Sequence, residues 1–196
     1  MKKNSIGSSI SKNIFLLKRN KIGVIPTDTI YGVAASALLE KTVERVYKVL
    51  KRNQNKPFII LIGSIRDLSL FKINLDNKTQ KILKQIWPGK ISVVLPVNSP
   101  RFLYLHRGTK TLAFRVPKKR SLLKLLKKTG PLISTSANPQ GKKPAETIAE
   151  AKKYFGDRVD FYIGGGKIKS LPSTLVEIKN GKIIALRKGA AKLPNL

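Results

Sequence analysis

Two stretches of the chain end an apolar run in a cluster of small polar side chains. The first reads Val24-Ile25-Pro26-Thr27-Asp28-Thr29-Ile30-Tyr31-Gly32-Val33. Pro26 cannot donate to a sheet ladder, so the strand predicted over 22–25 stops there. The hydroxyls of Thr27 and Thr29 and the Asp28 carboxylate follow at once. Gly32 lets the backbone turn, and the small apolar run 33–37 is read as leading towards a helix. The second stretch, Leu132-Ile133-Ser134-Thr135-Ser136-Ala137-Asn138, repeats the pattern with hydroxyls and an amide. Strand ends of this kind are where open α/β sheets hold small polar ligands. The same residue types also make ordinary turns and helix caps. A third feature is Arg115, between Phe114 and Val116 in the run Thr111–Pro117, so that it points to the face opposite those neighbours. A charge inside an apolar strand needs a partner or a cleft. With 10 Asp and Glu against 40 Lys and Arg, a ligand carboxylate is favoured over a structural ion pair.

The inventory narrows the chemistry. There is no Cys, which excludes disulfides and thiolate metal sites, and a single His, His106, leaves no imidazole cluster. What remains is positioning and charge neutralisation by hydroxyls, amides, Arg and Lys. The net charge of +30 attracts polyanions such as RNA, nucleotides or acidic membrane surfaces. Lys outnumbers Arg by 30 to 10, so that attraction is expected to be unspecific for sequence. A genome biased towards Lys, Asn and Ile codons gives the same composition. No apolar run is long enough to span a membrane, and no long apolar segment follows the basic start Met1-Lys2-Lys3, so a cytoplasmic protein is expected.

The elements that must position these residues follow from periodicity. Helices are predicted over 8–20, 40–51, 78–87, 121–128 and from Pro144 to Gly156, the last bounded by Pro at its start and Gly at its end. Strands are predicted over 22–25, 58–62, 91–97, 111–116 and 159–163, with a hairpin of 175–179 and 182–187 about Asn180-Gly181. Tyr47 falls on the apolar stripe of its helix with Val43, Val46 and Leu50, and is read as core. The linker Arg52-Asn53-Gln54-Asn55-Lys56-Pro57 is either a solvated basic loop or an anion-holding one. Gly164-Gly165-Gly166 has no following Lys-Ser/Thr pair and is read as a flexible turn rather than a phosphate cradle. Residues 190–196 are expected to fray. No repeat or linker divides the chain, so 1–196 is taken as one α/β domain with a mixed sheet, since the hairpin argues against a purely parallel one.

Taken in order, these motifs resemble the YrdC family of threonylcarbamoyl-AMP synthases. The resemblance rests on Pro26–Gly32, Arg52 with Lys56-Pro57, Trp87-Pro88-Gly89, Thr111–Pro117, Ser134–Asn138, Pro172-Ser173-Thr174 and Leu186–Gly189, and runs from about 22 to 189. It implies a YrdC-like twisted mixed sheet flanked by helices, with a basic concave cleft. It also implies an L-threonylcarbamoyladenylate synthase, a nucleotidyltransferase using L-threonine, bicarbonate and ATP with Mg²⁺. The carbamate formed on threonine would attack the α-phosphate, releasing pyrophosphate. The adenylate would then serve t6A modification at position 37 of tRNA through transferase partner proteins, with weak RNA contact through the basic surface. Carried over position by position, threonine would lie near Thr29, Arg115, Ser134 and Thr174. ATP would lie near Arg52, Lys56, Thr111, Ser136, Asn138 and Arg187. No side chain is expected as a single acid or base, and no metal ligand.

The chain departs from the family pattern at three places. Leu50 stands where the family has Lys, and the adjacent Lys51 is a candidate to bring its charge to the same phosphates. Leu61 stands where a His or polar residue is common, and Pro139-Gln140-Gly141 replaces a Ser-Gly segment. The chain stops after the matching region, as the short, single-domain form does. The rival readings are an RNA-binding or ribosome-assembly module without catalysis and a related carbamoyl-transfer domain. The first has no need of Arg115 inside a strand or of hydroxyls at two strand ends; the second belongs to longer chains.

Overall fold

The computed structural model of the chain describes residues 13–194. The first helix, α1, is described over 13–18; its predicted start at 8–12 lies outside the described residues. Five further helices follow: α2 (Glu40–Leu50), α3 (Asn77–Ile86), α4 (Leu103–His106), α5 (Arg120–Thr129) and α6 (Ile148–Phe155). The strands are β1 (Gly23–Pro26), β2 (Tyr31–Ser36), β3 (Ile59–Leu61), β4 (Ile91–Pro96), β5 (Thr111–Arg115), β6 (Leu132–Ser136), β7 (Phe161–Tyr162), β8 (Thr174–Lys179) and β9 (Lys182–Arg187). They form one nine-stranded mixed sheet in the order β7-β1-β2-β6-β3-β5-β4-β8-β9.

The register sorts side chains into two faces. One row crosses seven strands as Ala35, Ile133, Ile60, Phe114, Val93, Val176 and Ala185. All but Ala185 are fully buried and belong to the main core cluster, together with residues of the helices. The neighbouring row is Ala34, Ser134, Ile59, Ala113, Val94, Glu177 and Ile184, on the opposite face. Because side chains alternate, a slip of one residue would exchange the two rows, and burial of the first row forbids it. The second face is covered at one end by α5, whose Leu122, Leu125 and Leu126 pack with Leu17, Ile25, Leu61 and Leu132. The rest of that face is left open.

The structure departs from the predicted elements in several places: the last long helix, expected from Pro144, starts at Ile148, and β1 includes Pro26. The run after Gly32 is not a lead into a helix: it is β2, which folds back antiparallel on β1 with Pro26 opposite Tyr31. Tyr31, Val33 and Ala35 alternate with small residues, and that alternation is a strand period. Residues 65–71, between β3 and α3, form a 3₁₀ segment that was not predicted. The tail does not fray where it leaves β9, because Ala190 N donates to Pro172 O at 2.8 Å and Ala191 bonds to Thr174. The glycine triplet is also fixed. Gly165 N donates to the Tyr31 hydroxyl at 2.8 Å, which donates in turn to Gly166 O at 2.7 Å, and a Cβ on Gly165 would stand 2.6 Å from Pro26.

Candidate functional site

The Pro26–Gly32 motif is the turn of the β1–β2 hairpin. Thr27 organises it: its hydroxyl donates to Ile30 O at 2.6 Å and accepts from the amides of Thr29 and Ile30 at 3.1 and 3.2 Å. A hydroxyl has one proton. That of Thr27 is already committed, so at the 3.0 Å contact between the two hydroxyls Thr29 is the donor. Thr29 Oγ1 is left with lone pairs for any further partner. Thr29 lines a cavity of about 460 Å³ on the open face of the sheet.

The floor of this cavity comes from β2, β3, β5 and β6. Gly32, Ser134, Ser136, Ile59, Leu61, Ala113 and Arg115 all line it. Gly32 has a packing reason to lack a side chain, since a Cβ there would lie 2.9 Å from Ser134 Oγ and 3.2 Å from Thr135 O. Arg115 closes β5 and is 3% exposed. Its Nη1 lies 3.1 Å from Asp28 Oδ1, in the hairpin turn, and both side chains are about 95% buried. The pair has ion-pair distance without the direction of a hydrogen bond, and Nε is buried with no protein partner. The other Asp28 oxygen accepts from Lys118 N at 2.9 Å. Burial lowers the pKa of Arg115 and Asp28 opposes that shift. The expectation that Arg115 lacks a carboxylate from its own chain is therefore corrected: scarcity of acids did not prevent the turn from placing one beside it. Arg115 still lines the cavity.

A second wall comes from the loop after α2. Lys56 and the half-buried Arg52 line it. Arg52 donates through Nε to Lys56 O at 3.1 Å and through Nη2 to Pro57 O at 3.3 Å, and its guanidinium lies over the Phe58 ring at 5.1 Å. Tyr47 is core, as its spacing predicted, and its hydroxyl ties the same Lys56 carbonyl at 3.1 Å. Arg187, from β9, completes this end of the cavity, with Nη2 donating to Ser173 O at 2.8 Å. Burial lowers the pKa of both guanidiniums, and for Arg52 the Arg187 charge lowers it further. Two cations thus share a space that favours an anion between them. Four basic side chains line the cavity, and no Asp or Glu does.

The structure thus brings together Thr29, Arg115, Ser134, Arg52, Lys56, Ser136 and Arg187. It places three of the other predicted residues beside the cavity rather than on its lining. Thr111 starts β5, two residues from Ala113 and on the same face. Asn138 spends its side-chain amide on Pro139 O and Lys142 O at 3.0 and 2.7 Å, leaving Oδ1 buried and unpartnered. Thr174 is buried, with its hydroxyl bonded to Ala191. Lys51 caps α2 in a left-handed conformation, exposed and off the lining, while Leu50 is buried as its spacing predicted. Sequence reasoning missed Asp28 as the partner of Arg115. It also missed Lys119, whose Nζ donates to Pro26 O and Thr27 O at 3.2 and 3.3 Å and so pins the turn. No local pattern distinguishes Lys119 from the other lysines.

For a cation, the site offers little. Among the described residues no group of three or more His, Asp or Glu could hold a metal. Asp28 has one oxygen at ion-pair distance from Arg115 and the other bonded to Lys118 N.

Comparison with known proteins bears on the family and the fold. The Sua5–YciO–YrdC family profile, described as "Telomere recombination", matches residues 16–189. A threonylcarbamoyl-AMP synthase of Hahella chejuensis is 30% identical over 179 residues, covering 89% of this chain and 96% of that protein. The structure of Pyrococcus abyssi Sua5 complexed with L-threonine superposes with a TM-score of 0.87 at 26% identity, over 95% of this chain and 56% of that one. The chain thus spans about half of that longer protein. Escherichia coli YciO has the same fold, with a TM-score of 0.84 at 22% identity over 97% of this chain and 93% of that one. With a match over nearly its whole length in sequence and in the sheet that carries the cavity, the chain belongs to the Sua5–YciO–YrdC family.

Proposed function

We propose that this chain is an L-threonylcarbamoyladenylate synthase, and so a nucleotidyltransferase. The observation that carries the reading is the division of one cavity into two chemically distinct ends. Its lining carries the buried Arg115 together with Thr29 and Ser134. It also carries Arg52, Lys56 and Arg187. The first end suits an amino acid: Arg115 for the carboxylate in a charge-assisted contact, and Thr29 Oγ1, left as an acceptor, for the amino group. Ser134 supplies a further hydroxyl. The second end suits a polyphosphate, with Ser136 between the two. Thr111 and Asn138 would join the nucleotide from the rim.

The chemistry requires placement rather than an acid or base. The threonine amine takes up the one-carbon unit of bicarbonate as a carbamate, with loss of water. A carbamate oxygen then attacks the α-phosphorus of ATP, the bond to the β-phosphate oxygen breaks, and pyrophosphate leaves. Arg52, Lys56 and Arg187 offset the charge on the phosphates, and the fixed distance between the two ends brings nucleophile and phosphorus together. The described residues form no metal cage, and Mg²⁺ would be part of the substrate, arriving on ATP. The product would pass to transferase proteins for t6A modification of tRNA in the cytoplasm. The net charge of +30 supports weak, salt-sensitive contact with that RNA.

The test is pyrophosphate release. It should require ATP, L-threonine and bicarbonate together, and the adenylate should be found by mass spectrometry. Equal release without threonine would remove the reading.

A further inference from the structure

Thr174 opens β8 and is 2% exposed. Its hydroxyl donates to Ala191 O at 2.6 Å and accepts from Ala191 N at 3.2 Å, so its one proton is spent on the chain that follows β9. Two further contacts run alongside. Ala190 N donates to Pro172 O at 2.8 Å. Gly189 lies so close that a Cβ there would stand 2.3 Å from Pro172 O and 2.6 Å from Thr174 N. Residues 189–191 therefore lie as a strap across 172–174. The strapped segment is cavity wall: Pro172 and Ser173 line it, and the Ser173 hydroxyl is shared with Ser92 of β4 at 2.8 Å. The Ser173 carbonyl is also the acceptor that orients Arg187, at 2.8 Å.

We infer that Thr174 is a positioning residue: by clasping Ala191 it fixes the Ser173 carbonyl and so aims the Arg187 guanidinium at the cationic end of the cavity, without touching a substrate itself. Arg187 is a long, rotamer-rich side chain on an exposed strand, and losing its anchored acceptor would let it leave the cavity. The consequence falls on the ligand at the Arg187 end. Loosening the clasp should therefore weaken ATP more than L-threonine, whereas a hydroxyl that contacts threonine directly would do the reverse. The inference rests on the proposed function for the identity of the two ligands only; the clasp itself can be read without them.

The experiment compares Thr174→Val, Thr174→Ser, Gly189→Ala and the Thr174→Val/Gly189→Ala pair in the full chain. Affinities for ATP and L-threonine are measured by calorimetry, and exchange of the Ala190 and Ala191 amides by hydrogen–deuterium exchange. Thr174→Val should weaken ATP about tenfold, the loss of one charge-assisted contact, and threonine by less than about threefold. Thr174→Ser should restore both. Gly189→Ala, which pushes the strap off while keeping the Thr174 side chain, should imitate Thr174→Val and stands in for it should that variant fail to fold. The pair should be no weaker than the worse single variant, because both act through one contact. Amide exchange at Ala191 should rise in Thr174→Val. A larger loss for threonine than for ATP, additive effects of the two substitutions, or unchanged exchange at Ala191 would each overturn the inference. If the wild type bound neither ligand, the functional reading would fall, and the exchange result would still decide the clasp.

Discussion

The Asp28–Arg115 pair should behave as a unit. Arg115→Met keeps much of the side-chain volume and removes the charge; Asp28→Asn keeps an acceptor for Lys118 N and removes the charge. Both partners are about 95% buried and 3.1 Å apart. Removing one leaves the other as an uncompensated buried charge, at a cost of about 3–5 kcal/mol. At roughly 2–4 °C per kcal/mol for a chain of this size, each single variant should melt about 6–20 °C below wild type. The double variant leaves no orphan charge. It should be more stable than the sum of the two losses by at least about 2 kcal/mol, the coupling of residues in direct contact. The assay is a double-mutant cycle from urea unfolding. Threonine binding supplies a second readout: Arg115→Met should lose roughly ten- to 150-fold in threonine affinity, as for one charged hydrogen bond, with ATP little changed. Additivity within about 0.5 kcal/mol would show that the two charges do not support each other. A loss confined to ATP would show that Arg115 does not belong to the amino-acid end.

Three other outcomes follow. Gly32→Ala would put a methyl 2.9 Å from Ser134 Oγ and 3.2 Å from the Thr135 carbonyl; it should raise the KM for threonine with little change in Tm, and unchanged steady-state kinetics would refute the placement of Ser134 on the threonine end. Lys56→Ala should weaken ATP by up to about 1 kcal/mol, while Lys51→Ala, off the cavity lining, should not; equal losses by calorimetry would restore Lys51 as a phosphate contact. Asp160 accepts from Arg45 Nη1, Lys21 Nζ and Ile22 N, and although burial alone would raise its pKa, these bonds hold it below the ordinary carboxylate value. Its contribution to stability is therefore present above the unfolded pKa of about 3.9 and lost as pH falls through the folded value. The stability gap between wild type and Asp160→Asn should be flat at neutral pH and close on acidification; a gap that widened would refute it.

The sequence made some of this legible and hid the rest for identifiable reasons. Patterns that depend on neighbours in the chain were readable. The stripe Val43, Val46, Tyr47 and Leu50 placed α2 and its buried face, and Asn180-Gly181 placed the β8–β9 hairpin. Arg115 was recognisable as an anomaly because a single charge interrupts an apolar strand. Its partner was not, because Asp28 lies 87 positions earlier and meets it only when β1 folds back on β2. That fold-back was itself misread: small residues at Gly32, Ala34 and Ser36 blur the two-residue period of β2, so the run resembled the approach to a helix.

Thr174 shows the same limit from the other side. Its residue type and motif suggest a ligand contact, and proximity to the cavity agrees, yet its hydroxyl is committed to Ala191, a residue of the tail expected to fray. A hydroxyl's role depends on where its proton goes, and motif spacing does not carry that information. The same reasoning separates Thr27 from Thr29. The two side chains are alike and two residues apart, but Thr27 spends its proton on Ile30 O and so leaves Thr29 as the acceptor facing the cavity. In a site with no Cys, no His and no carboxylate on its lining, specificity has to come from such assignments of donor and acceptor. The long-range contacts that fix them, Asp28 to Arg115, Lys119 to the turn and Ala191 to Thr174, are then as much a part of the site as the residues that line it.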